Sequence, residues 1–170
     1  NPTEVSITLE NSTIEAMCAV LFNINSSISI IGCDITGGNQ AVVLRGGIGN
    51  IEGSTLTINY NEPDPERWSH EWDNKDWGSG NSVPYSAITV GNRNSTAYQY
   101  PTNLTMTDCT LRTVGPNAGY FPVMYVYANR NPSDGVTINH EGTVFEGEVI
   151  YGSENITVNG KTPEINLGKE

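Results

Sequence analysis

Apolar residues occupy every second position at the start of the chain, Val5, Ile7 and Leu9, as in a strand with one buried face. A polar step and an apolar anchor follow, Ser12-Thr13-Ile14, and then a second apolar run, Ala19-Val20-Leu21. After the turn Asn25-Ser26-Ser27 the same order returns between Ile28 and Leu44. Ile28 and Ile30 alternate, Gly32-Cys33-Asp34 steps to Ile35, and Ala41-Val42-Val43-Leu44 forms the second run behind a Gly-Gly-Asn corner. A third unit carries Ile48 and Ile51, the step Gly53-Ser54-Thr55, the anchor Leu56 and then Ile58. The anchors Ile14, Ile35 and Leu56 are spaced by 21 residues.

The period breaks after Ile58 and is restored at a second run, Ala87-Ile88-Thr89-Val90. A fourth unit follows, with Leu104 and Met106, the step Asp108-Cys109-Thr110 and the anchor Leu111. It holds a smaller excursion, Val114 to Pro122, before Val123-Met124-Tyr125-Val126. Beyond the turn Asn129 to Gly135, a fifth unit has Val136, Ile138, Val144, Phe145 and Val149-Ile150-Tyr151; its step, HEGTV, reads one residue out of register with DCTL. Ile156 and Val158 open a sixth unit that fades into the terminal residues.

Short β-rich runs divided by Asn, Gly, Ser and Asp, with almost no helical periodicity, predict an all-β chain. One unit of this length cannot bury its own apolar face, so the repeat predicts a solenoid. A leucine-rich repeat shares the period but requires a Leu/Asn consensus that this chain lacks. A β-sandwich is the alternative, and it offers no reason to space the anchors evenly. The anchors NSTI, GCDI, GSTL and DCTL, with their Asn, Gly and Ser corners, resemble the right-handed parallel β-helix of the pectin-lyase-like superfamily across residues 5–158. The resemblance implies a right-handed parallel β-helix (solenoid) of about five rungs. Residues 1–170 would form one domain, cut from a longer chain or freed of a signal peptide, with one Trp-rich insertion at 60–85. It is a likeness of fold and implies no particular chemistry. The sugar-cleaving members' Asn-Thr-Asp, Asp-Asp, Gly-His-Gly and Arg-Ile-Lys are absent.

The insertion is where a binding site is expected. It contains all three tryptophans, Trp68, Trp72 and Trp77, together with His70, Glu71 and Asp73. Long loops in compact repeat proteins are usually functional or disordered, and this aromatic content argues against disorder. The indoles either pin the loop to the flank of the coil or face a ligand. Aromatic faces suit the apolar C–H side of a pyranose, and acids and amides suit its hydroxyls. If residues 65–77 form a short helix, Trp68 and Trp72 share one face. Tyr98 and Tyr100, just after the insertion's return strand, extend the aromatic surface or cover the coil's edge. Asp73-Asn74-Lys75-Asp76 with Gly78 echoes a calcium loop but lacks the alternate ligands and the closing glutamate. No cofactor and no metal residue are therefore assigned.

No catalytic residue is assigned either. Arg45 follows a strand, yet Gly49, Asn50 and Glu52 in the next unit provide no stacked aspartate pair beside it. His70 and His140 lack a Ser or Cys arrangement that makes a nucleophile. Nineteen acidic against eight basic residues give a net charge of −11, which excludes nucleic acid as a partner. No apolar run reaches the length of a membrane helix, so no membrane insertion is expected. Cys33 and Cys109 fall at the same step of their units, about two strand spacings apart and beyond disulfide reach, so all three thiols are expected free. The Asn-X-Ser/Thr triplets at Asn11, Asn25, Asn94, Asn103 and Asn155 read as structural corner residues.

The expected function is that of a non-catalytic module of a secreted or cell-surface bacterial protein, binding glycan or a host surface through the insertion and beside neighbouring domains of its parent chain. The alternatives are a fragment of a polysaccharide lyase or glycoside hydrolase, using acids of the insertion or coil face, and a structural spacer of a surface adhesin.

Overall fold

The structure is a computed structural model that describes residues 4–60, 85–92, 100–128 and 135–166. Among these, every regular element is a strand. In chain order they are β1 (Ser6–Glu10), β2 (Thr13–Phe22), β3 (Ser27–Ile31), β4 (Asp34–Arg45), β5 (Gly47–Glu52), β6 (Thr55–Asn59) and β7 (Ser86–Gly91). The second half of the chain adds β8 (Thr102–Thr107), β9 (Thr110–Val114), β10 (Met124–Tyr127), β11 (Val136–Glu141), β12 (Val144–Glu146), β13 (Val149–Tyr151) and β14 (Ile156–Val158). All ladders between them are parallel.

One sheet runs β1-β3-β5-β8-β11-β14. Ser6 stands opposite Ser27, and Ser27 opposite Ile48, so the spacing seen in the sequence is the ladder offset. The second sheet runs β12-β9-β6-β4-β7-β10-β13, with β2 also on β4. The first half of β4 pairs with β6 and its second half with β7, so this sheet bends within β4, between Gly37 and Gln40. The Gly-Gly-Asn corner is there, but the strand bends without breaking.

The anchors stack as their spacing requires: Ile14 on Ile35, Ile35 on Leu56, Leu56 on Leu111 and Leu111 on Phe145. The fifth unit is thus in full register once Gly142-Thr143-Val144-Phe145 is set against Asp108-Cys109-Thr110-Leu111. The expected one-residue slip is corrected by Phe145, the larger of two adjacent apolar residues, taking the inward place. Ile35, Leu56 and Leu111 are fully buried, and with Ile30, Ile88, Met106, Met124 and Ile138 they fill the core between the sheets.

A backbone corner precedes each anchor. Asn11, Gly32, Gly53, Asp108 and Gly142 have φ of 48°, 60°, 54°, 52° and 62°. This is the left-handed region that Gly, Asn and Asp enter most readily. The next residue closes the corner on the carbonyl two positions back. Ser12 Oγ donates to Glu10 O (2.8 Å), Cys33 Sγ to Ile31 O (3.4 Å) and Ser54 Oγ to Glu52 O (2.9 Å). Cys109 Sγ donates to Thr107 O (3.3 Å) and Thr143 Oγ1 to Glu141 O (3.4 Å). The S/T/C signature is therefore a turn with a mechanism, and the three cysteines are free. Burial pushes the Cys109 thiol up, as do the Asp108 and Glu52 charges more weakly, against hydrogen bonds at Ser54 and Thr107 that lower it. Asn11 and Asn155 (φ 61°) are corner residues, as their triplets suggested, whereas Asn103 is an exposed residue inside β8 and Asn94 lies outside the described residues.

Gly53 isolates the cost of this corner, because a Cβ there meets no atom within 4 Å. Gly53→Ala is expected to lower unfolding free energy by about 1 kcal/mol in urea titration. Gly53→Asn should lose less, since Asn occupies the equivalent corner at Asn11.

Candidate functional site

Tyr60 ends the described chain after β6, and Tyr85 restarts it before β7. Their rings meet at 5.5 Å between centroids, and Phe121 packs on both, at 4.9 Å from Tyr60 and 5.4 Å from Tyr85. Tyr120 adds an edge contact to Phe121 at 5.5 Å. Asn117 Nδ2 donates to Tyr60 O (3.2 Å). The smaller excursion after β9 thus supplies the residues that clasp the root of the insertion. Tyr60 and Phe121 are each 3% exposed, so the clasp is part of the core and fixes both ends of the insertion against the sheet.

A groove of about 480 Å³ opens beside this root. Glu15, Ala16 and Met17 of β2, Thr36 and Gly38 of β4, and Asn59 and Tyr60 after β6 line it. Its size falls within the range of small-molecule sites, about 300–1,000 Å³. Its chemistry is set by strand alternation. Ile14, Ile35 and Leu56 point into the core, so the residue after each anchor points outward. The ladders align these outward residues in one row, Glu15-Thr36-Thr57-Arg112-Glu146. Arg112 Nε donates to Thr57 Oγ1 at 3.0 Å, holding the guanidinium along the row. The groove therefore offers the Glu15 carboxylate, the Thr36 hydroxyl and the Met17 thioether, with the buried Tyr60 and the buried amide oxygen of Asn59 behind its wall.

Of the residues singled out in the sequence, Trp68, His70, Glu71, Trp72, Asp73, Trp77 and Tyr98 lie outside the described residues, as do the calcium-like run and the helix expected over 65–77. Tyr100 is described. It is half-buried, its carbonyl accepts from Asn92 Nδ2 (3.2 Å), and it sits by the Gly46-Gly47 turn. That turn follows the far end of β4 from the groove. Arg45 is only 2% exposed, so it does not stand on an open face where a catalytic base would meet substrate. Among the described residues no group of three or more His, Cys, Asp or Glu is placed to hold a metal, and no helix is long and apolar enough to cross a membrane.

Glu15, Thr36 and Asn59 were not foreseen as groove residues. A signal existed for the first two, which follow their anchors and so face outward. For Tyr60 and Phe121 there was none, because their contact joins two excursions that the repeat leaves unaligned.

No protein-family model matches the chain, and no curated protein and no solved structure matches it.

Proposed function

We propose that the chain is a right-handed parallel β-helix of about five rungs, like those of the pectin-lyase-like superfamily, and that it binds glycan without cleaving it. The parallel ladders, their constant early offset and the stacked anchors support the coil. In this reading the module belongs to a secreted or cell-surface bacterial protein, with neighbouring domains of the same parent chain. In this reading the insertion's tryptophans and acids contact the glycan, and the groove beside Tyr60 receives part of it. The observation that carries the binding reading is the clasp of Tyr60, Tyr85 and Phe121 at the root of the insertion, next to a groove lined by Glu15, Met17 and Thr36.

All three tryptophans lie in the insertion, so tryptophan fluorescence, excited selectively over that of the tyrosines, reports that segment. Titration with a panel of neutral and acidic glycans, each sample also assayed for cleavage products, is expected to give a saturable shift without products. Trp68→Ala, Trp72→Ala or Trp77→Ala at a stacking position should weaken affinity about tenfold, equivalent to ~1.4 kcal/mol. Products would replace this reading with a polysaccharide lyase or glycosidase. A flat response across the panel would leave a structural spacer.

A further inference from the structure

Where β14 ends, a side chain takes over the pairing of the main chain. Asn159 N–H still donates to Ile138 O (2.9 Å), one step beyond the Ile138–Val158 pair. The chain then reverses. Val158 N–H donates to Lys161 O (2.7 Å) and Lys161 N–H to Val158 O (2.9 Å), closing a two-residue turn on Asn159 and Gly160. Both residues have positive φ, 47° and 75°, as the tight Asn-Gly hairpin turn requires. β11 runs on past the reversal to Glu141, so the main-chain groups of His140 miss the partner that a longer β14 would have given them. The Asn159 carboxamide fills that place. His140 N–H donates to Asn159 Oδ1 (2.8 Å), and Asn159 Nδ2 donates to His140 O (3.2 Å). A carboxamide can do this because, like a peptide unit, it both accepts and donates.

The residue that closes the ladder is also the asparagine best placed to destroy itself. Asn159-Gly160 is the sole Asn-Gly pair among the 170 residues, and glycine has no side chain to shield its nitrogen from the carboxamide before it. Asn159, Gly160 and Lys161 are exposed, so water reaches the turn. We infer that Asn159 is a self-modification site, and that loss of its amide releases the end of β14 from β11. The Gly160 nitrogen gives up its proton and bonds to Asn159 Cγ. The Cγ–Nδ2 bond breaks, and Nδ2 takes up a proton and leaves as ammonia. Water then opens the cyclic imide. Cleavage between Cγ and the Gly160 nitrogen yields aspartate; cleavage between the Asn159 carbonyl carbon and that nitrogen yields isoaspartate, with the main chain running through Cγ. Neither product rebuilds the clamp. The ionised carboxylate of aspartate has no donor for His140 O, and isoaspartate lengthens the turn by one carbon.

The fold sets the rate of this step. While Oδ1 and Nδ2 are held on His140, Cγ does not swing onto the Gly160 nitrogen, so the reaction waits for local opening of the turn. The clamp is therefore a latch that is consumed by being opened.

The test incubates the full chain in mildly alkaline buffer, folded and in urea, and follows the amide-to-acid mass change at Asn159 by peptide mapping. Conversion is expected in both, at least about tenfold slower in the folded protein. Lys161→Pro removes a turn N–H at an exposed residue. It should speed conversion of the folded protein about fivefold, the opening gained from one lost main-chain hydrogen bond, and leave the rate in urea unchanged. Fully aged protein and fresh Asn159→Asp should both exchange the amide protons of Asn159 and Lys161 at least about tenfold faster than fresh protein, while those of β8 keep their protection. The aged protein carries no substitution, so this arm stands even where Lys161→Pro fails to fold. Equal rates with and without urea, no response to Lys161→Pro, or aged protein that exchanges as slowly as fresh would overturn the inference. So would conversion confined to urea, since the folded protein would then not modify itself.

Discussion

Gly37→Ala is expected to leave little folded protein at 25 °C. Gly37 lies in β4 between Ala16 of β2 and Ile58 of β6, at the point where the sheet bends. A Cβ at this position would run into the chain's own backbone, at the Gln40 carbonyl and the Ala41 nitrogen. No rotamer relieves a clash with backbone three residues on. The bend must open, and the second half of β4 then leaves its register on both β2 and β7. Overpacking in a core costs about 1–3 kcal/mol, and a clash that displaces a central strand lies at or above the top of that range. Against a total of about 5–15 kcal/mol, this is enough to unfold a marginal domain. The control is next door. A Cβ at Gly38 meets the Sδ of Met17, the end of a flexible and exposed side chain. Gly38→Ala should therefore cost less than about 1 kcal/mol. Circular dichroism with urea titration of both variants decides it; equal, small losses would mean that the bend does not depend on Gly37.

This pair also shows how far the sequence could be read. The Gly-Gly-Asn run announced a corner, and a corner is there, but only the backbone geometry separates the glycine that must be glycine from its neighbour. The anchors were legible for a different reason. Each is preceded by a left-handed corner and a small closing donor, so local chemistry and long-range stacking mark the same residue, and the spacing repeats. The fifth unit was misaligned because Val144 and Phe145 are both apolar; stacking on Leu111 chooses the second. β2 and β4 slip by one residue between Ala16 and Cys18, an irregularity that no side chain advertises. The groove was half legible: outward positions follow from alternation, whereas Tyr60, Tyr85 and Phe121 meet only because two insertions leave the same side of the sheet.

The stacked anchors make the second large prediction, Leu56→Ala. Leu56 is fully buried between Ile35 and Leu111. Removing its side chain forfeits transfer free energy and leaves a cavity, at a cost of about 2–5 kcal/mol for Leu→Ala in a core. The upper half of that range is expected, because the neighbours cannot close in. Strand spacing is held at about 4.8 Å by the ladders. Thr55 N–H to Cys33 O (2.8 Å) and Thr110 N–H to Ser54 O (3.0 Å) pin the corners on either side. Ile14 is the end of the same row, half-buried with one anchor neighbour, so Ile14→Ala should cost less than half as much. The row further predicts how losses combine. Leu56→Ala and Leu111→Ala share a contact and should couple by at least about 0.5 kcal/mol in a double-mutant cycle. Ile14→Ala and Leu111→Ala stand three strand spacings apart, about 14 Å, and should add within about 0.5 kcal/mol. Strong coupling of that distant pair would mean that the core responds as one cooperative cluster, and it would remove the nearest-neighbour stacking on which the solenoid reading rests.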